Sequence, residues 1–106
     1  MTVSEWSITE EKVAQEAFRI AYEREIEALM QEVRSKASTI AELSDLWKLH
    51  DFLSARRHDL DGKYDYQESG LIFVFARLIK EGWLKSNELE GLSTDKRTKI
   101  TALSRM

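Results

Sequence analysis

The chain has no cysteine and no proline, and glycine occurs at only four positions. Without cysteine there can be no disulfide, zinc–thiolate site or thiol nucleophile, and the composition suits a reducing, cytoplasmic setting. Without proline, and with so little glycine, few positions interrupt a helix, so long helices are expected. Long apolar runs are missing too. The longest, LIFVFA at 71–76, is far too short to span a bilayer. Neither sign of charge dominates: 16 basic and 19 acidic residues leave a net charge of −3, with no basic block. A non-specific grip on nucleic acid or anionic lipid is therefore not expected. The opening MTVSEWSITEEK has no basic stretch leading into an apolar one, so no secretory signal is expected either.

What remains is a 106-residue chain with 42% hydrophobic residues, enough for a single domain. Ser7 and Glu10 form an S-x-x-E capping box, and good helix formers run from there to Lys36. Phe18, Tyr22, Ile26, Leu29 and Val33 fall on one stripe of this first helix. Such a rod is roughly 40–45 Å long. It would project from a compact domain of this size, which favours self-association. Thr39 and Glu42 suggest a second box opening a helix from about Ile40 to Gly62, with Gly62 as its terminating residue. Asp65 and Glu68 suggest a third helix over about 66–81, stopped by Gly82. Its LIFVFARLI centre has strand propensity as well, but a lone strand would leave its backbone unpaired. Ser86 and Ser93 are expected to cap two short helices, about 87–91 and 94–105. The fold class expected is all-α, with no sheet: an extended dimerisation arm at about 1–62 and a compact helical head at about 63–106.

The second helix carries the unusual residues. Leu46, Leu49, Leu53 and Leu60 gather in an arc of roughly 60°, the expected core-facing stripe. Beside it, an arc of about 120° holds Arg57, His50, Asp61, Leu43, Ser54, Trp47, His58 and Asp51. A metal site does not fit, because His50 and His58 lie about 12 Å apart along the axis. A Ser54–His50–Asp51 triad does not fit either, since Asp51 neighbours the histidine in sequence and should point away from it. As a DNA-reading helix it offers only Arg56 and Arg57 as clustered cations, and Asp51, Asp59 and Asp61 would oppose a nucleic-acid backbone. No enzymatic activity, cofactor, metal or small-molecule substrate is expected. Trp47 beside Arg57 and His50 suits a protein interface, where tryptophan and arginine are common anchors. With Ser54 as the midpoint of two antiparallel copies, Asp51 faces Arg57, Trp47 faces Asp61, and His50 faces His58. A plainer reading makes Trp47 a half-buried core residue and the charges a solvated face.

DLWKLHDFLSARRHDLDGKYD, followed by IFVFARLIKEG and DKRTKITALSRM, resembles the fluorescence recovery protein family of cyanobacteria. The resemblance runs from about Ile40 to the C-terminus; the first 35 residues match mainly through FRIAYEREI. It implies an all-helical homodimer that binds the photoactivated red orange carotenoid protein, mainly at that protein's C-terminal domain. It further implies faster return to the orange form, detachment from the phycobilisome, and recovery of antenna fluorescence. The implied partner-binding residues are Trp47, His50, Asp51, Arg57, Phe73 and Lys99. Leu46 matches a dimer-interface leucine, and Leu43, Ser54, Asp51 and Arg57 complete the expected dimer contact. Arg56 stands where lysine is common, and Thr101 where a lysine is expected. The implied location is cytoplasmic, at most peripheral to the thylakoid through the target. The alternative is an interaction module of the same fold with another partner or weakened activity.

Overall fold

The structure, a computed structural model, describes residues 5–106. Four α-helices follow one another: α1 (Ile8–Ser38), α2 (Leu43–Lys63), α3 (Leu71–Glu81) and α4 (Thr94–Ser104). Short 3-10 turns at Glu68–Gly70 and Ser86–Leu89 precede α3 and α4. There is no strand among the described residues.

The local signals explain most of the boundaries. Ser7 caps α1 as its box predicts: Ser7 Oγ accepts the Glu10 N–H at 3.0 Å, and Glu10 Oε1 accepts the Ser7 N–H at 3.1 Å. Ser93 Oγ likewise accepts the Lys96 N–H to open α4. Gly82 ends α3 with φ 89°, a left-handed backbone that favours glycine, and Trp83 N–H returns to Leu78 O at 2.9 Å.

The short helix expected at about 87–91 is instead the 3-10 turn Ser86–Leu89, with Lys85 and not Ser86 at its cap position, and three α-helix boundaries also differ from expectation. The Thr39 hydroxyl donates back to Lys36 O at 2.9 Å, closing α1 instead of opening α2. The box that forms lies three residues on, where the Asp45 carboxylate accepts the N–H groups of Ala41 and Glu42, both at 3.1 Å. Gly62 does not stop α2, which continues through Lys63 because Lys63 is drawn into a buried ion pair. The third helix begins at Leu71, not Tyr66, since Tyr66 turns its ring edge-on to Phe18 at 5.4 Å.

The core lies at one end. Ala14, Ala17 and Ala21 are small enough to bring α1 against α3 and the C-terminal elements, whose Leu71, Phe75, Leu78, Leu89 and Ile100 are fully enclosed. Each such large side chain contributes about 1.5–3 kcal/mol by leaving water. Phe18 and Phe75 meet edge to face at 5.5 Å, a favoured aromatic geometry. The N-terminal half of α1, assigned to the arm on sequence grounds, therefore packs into the head. Its chain also runs so close to Gly91 that a side chain there would collide with Val13.

Past Glu25, α1 leaves this core, and α2 folds back beside it in antiparallel fashion. Lys36 sits over the Phe52 ring at 4.7 Å, Arg56 reaches Glu32 at 3.4 Å, and Lys63 reaches Glu25 at 2.8 Å. The resulting hairpin lengthens the molecule to 57 × 26 × 24 Å and raises the radius of gyration to 16.7 Å. A compact domain of about 100 residues would have roughly 13 Å.

A clamp joins α1 to the turn before α4: Arg24 bonds Glu88 at 2.7 and 2.8 Å and Trp83 O at 3.0 Å. Through the Arg24 hydrogen bond first, the Glu88 carboxyl falls from an ordinary 4.5 to about 2. Folding thus releases a proton from Glu88 between these values. Its stabilisation is complete above pH 4.5 and disappears as the pH falls through about 2. Urea midpoints should decline over that window, and Glu88→Gln should flatten the part of the decline due to this clamp.

Candidate functional site

The antiparallel hairpin decides which arc of α2 is free. The arc that faces α1 is not the leucine stripe. It is centred on Phe52, Arg56 and Lys63, because the two cations are drawn to the carboxylate of Glu25. Of the four stripe leucines only Leu60 is buried; Leu49 is half-covered, Leu53 stays open to solvent, and Leu46 is 44% exposed. The core-facing assignment of that stripe is thus corrected. Beyond the head, a single chain has too little structure to cover it.

The aromatic and ionic arc points outward, as a continuous face. Trp47 is 56% exposed, with its ring edge-on to His50 at 6.1 Å. His50 Nδ1 lies 3.3 Å from Asp51 Oδ1, so these two side chains meet and do not diverge as their adjacency suggested. Arg57 and Asp61 approach only to 4.0 Å, with side chains 87% and 76% exposed. Such a pair is worth little by itself and leaves both groups available to another molecule. Leu43 and Ser54 are exposed on the same side. His50 is turned to Asp51, and Ser54 makes no side-chain hydrogen bond to it among the described residues. Nor does any group of three His, Cys, Asp or Glu among them stand where it could hold a metal ion.

Phe73 and Lys99 belong to a different surface. Phe73, 64% exposed on α3, lines an apolar groove of about 440 Å³ with Ile72, Lys96, Lys99 and Leu103. Lys99 pairs with Asp95 along α4 at 3.2 Å. The sequence-predicted residues therefore form two clusters, one on the arm and one on the head.

The polar network at the junction of arm and head was missed at the sequence level. At the base of the hairpin, Glu25 and Lys63 are almost wholly buried, with side chains 3% and 1% exposed. Lys63 also bonds Glu81 at 2.8 Å, and the Tyr64 hydroxyl donates to Glu25 Oε1 at 2.7 Å. Arg77 joins Glu81 to Asp59, each at 2.8 Å. Burial and then the bond to Glu25 push the Tyr64 hydroxyl far above its ordinary value, so it stays a donor. Burial raises the Glu81 carboxyl, but Lys63 and Arg77 outweigh it and hold the group low; the Arg77 hydrogen bond does the same for Asp59. The usable signal was the register: Glu25 continues the row of Ala14, Ala17, Phe18 and Ala21, which predicts a buried carboxylate needing a partner. A second buried pair ties α1 to α4. Lys96 Nζ bonds Glu10 at 3.1 Å and Glu5 O at 2.7 Å, while lying 4.9 Å over the Trp6 ring. Burial raises the Glu10 carboxyl, yet the Ser7 and Ser93 N–H groups and Lys96 together keep it below its ordinary value.

No helix among the described residues is long and apolar enough to cross a membrane. The chain is 52% identical to the fluorescence recovery protein of Synechocystis sp. (strain ATCC 27184 / PCC 6803 / Kazusa) over 101 residues, covering 95% of this chain and 93% of that protein. It superposes on the solved Fremyella diplosiphon fluorescence recovery protein with a TM-score of 0.92 at 63% identity, covering 96% of this chain and 100% of that one. The solved Synechocystis sp. PCC 6803 protein gives 0.91 at 52% identity, with the same coverage. A family model described as photoprotection regulator fluorescence recovery protein matches residues 6–104. With the all-helical fold and both surfaces spanned by that match, the chain belongs to the fluorescence recovery protein family of photoprotection regulators.

Proposed function

We propose that this chain binds the photoactivated red form of the orange carotenoid protein, chiefly at its C-terminal domain, and speeds its return to the orange form. In doing so it promotes detachment from the phycobilisome, ends quenching and restores antenna fluorescence, working from the cytoplasm. The observation that carries this reading is the outward face of α2: Trp47, His50, Asp51 and Arg57 are adjacent, exposed and uncommitted to the protomer's own core. Phe73 and Lys99 provide a second touch point on the head.

Speeding a conformational return needs no bond chemistry, but it does need selectivity. A binder that held the red form and the transition state equally would not accelerate the step. The surface must favour a geometry partway between separated and re-docked domains of the target. Two touch points held at a fixed angle by the Glu25–Lys63 network suit that task. The direct test follows the absorbance of the red form in darkness with and without this protein. Faster decay supports the proposal, and an unchanged decay rate refutes it.

The same apolar border of α2 supports a homodimer. Leu43, Leu46 and Leu53 are exposed in the protomer, beside Asp51, Ser54 and Arg57. In an isologous contact centred near Ser54, Asp51 of each copy meets Arg57 of the other. Arg57→Asp places like charges together and is expected to shift sedimentation toward the monomer. An intact dimer in that variant would exclude this registry.

A further inference from the structure

Gly62 has no evident reason to be glycine. Gly82 needs its left-handed backbone, Gly91 lies against Val13, and Gly70 occupies the cap position of α3. Gly62 sits in the last turn of α2 with an ordinary backbone conformation, and nothing lies within 4 Å of where a Cβ would be. Glycine in such a place weakens the helix and gives more freedom to the unfolded chain. Within the protomer, alanine would be better. A residue that costs stability and serves no local geometry points to something that approaches from outside.

The space in front of Gly62 is a groove of about 380 Å³ between α2 and α3, lined by His58, Asp59, Gly62, Lys63, Phe73, Val74 and Arg77. Most of its charge is already spent. Asp59 is paired with Arg77 at 2.8 Å, and Lys63 with Glu25 and Glu81 at 2.8 Å each. What the groove still offers is the exposed Phe73 ring, Val74, the bare backbone at Gly62 and the His58 imidazole. That chemistry fits an apolar side chain, not an ion. The groove's position is also specific. His58 lies on the outward arc of α2 that carries Trp47, and Phe73 borders the Lys99 groove on its other side. The two clusters of the functional surface are therefore joined across Gly62.

We infer that an apolar side chain of the carotenoid-protein partner seats in this groove against the Gly62 backbone, making His58, Gly62 and Val74 part of one continuous partner surface. This rests on the function proposed above and adds a third contact between its two touch points. Continuity with both clusters favours that partner; a second copy, whose Ser54-centred registry sets His50 against His58, is the alternative that the mass in solution tests.

Gly62→Leu fills the groove, and Gly62→Ala adds only a Cβ in open space. Four quantities are read for each: thermal midpoint, mass in solution by light scattering, affinity for the photoactivated carotenoid protein, and its dark-reversion rate. Gly62→Leu is expected to hold the midpoint at or above wild type, keep the mass, and weaken binding tenfold or more. Gly62→Ala should raise the midpoint with a smaller loss of binding. A lowered midpoint in Gly62→Ala would mean that the glycine serves the fold. A halved mass in Gly62→Leu would mean that a second copy occupies the groove. Unchanged binding would mean that the groove is unused. Each of these overturns the inference. If wild type itself neither binds nor accelerates reversion, the proposed function falls too; if wild type does both and Gly62→Leu matches it, only the groove assignment fails.

Discussion

Lys63→Met is expected to destabilise the protein by about 3–5 kcal/mol, the range for removing one partner of a buried ion pair. Lys63 has two carboxylate partners at 2.8 Å, Glu25 and Glu81, and its side chain is essentially sealed from water. Methionine fills similar volume but leaves Glu25 buried with only the Tyr64 hydroxyl and Arg56, at 3.4 Å, to stabilise its charge. Against a total stability of roughly 5–15 kcal/mol for a domain, that loss is severe. Urea denaturation measures it directly. A second substitution separates charge from packing. In Lys63→Met with Glu25→Leu both charges are gone, and replacing a buried pair by apolar groups is often close to neutral. The double variant should recover most of the stability. A single-variant cost under about 1 kcal/mol would show that water or rearrangement supplies the missing partner. The double variant is also informative about function: if the pair fixes the angle between arm and head, stability can return while acceleration of reversion does not.

Trp47→Ala is expected to do the opposite, leaving the fold and weakening the proposed activity. More than half of the tryptophan surface is open to solvent, and its one aromatic neighbour among the described residues is His50 on the same helix. Substitutions at such positions usually change stability by no more than about 0.5 kcal/mol. A tryptophan at the centre of an interface typically costs about 2 kcal/mol or more on truncation, roughly 30-fold in affinity. Titrating the variant into red carotenoid protein and plotting the reversion rate against concentration measures that shift. A curve that overlays wild type would remove Trp47 from the contact. Parallel circular dichroism should show unchanged helicity and nearly the same midpoint.

The features legible in the sequence were those set by neighbours three or four residues apart. The Ser7–Glu10 box, the Ser93 cap and the glycine stop at Gly82 all depend on the chain a single turn away, so spacing revealed them. The outward arc of α2 was legible for the same reason, since helical periodicity places Trp47, His50, Asp51 and Arg57 on one side wherever the helix is docked. Where two local signals overlapped, spacing was not enough. Thr39 and Asp45 both stood near the start of α2, and the Thr39 hydroxyl was used by Lys36 O. The Glu25–Lys63 pair, 38 residues apart in the chain, had a trace in the row of buried alanines but no visible partner.

By itself, then, the sequence determined the all-helical class, most helix ends and the contents of each helical face, because these follow from backbone geometry and hydrogen bonds within one turn. Tertiary structure alone decided that Phe52, Arg56 and Lys63, not the leucine stripe, turn toward α1, and that His58, Gly62 and Phe73 share one groove. Those outcomes depend on which surfaces meet across long stretches of chain. Satisfying a buried carboxylate at the hairpin base outweighed covering leucines that a single protomer cannot enclose.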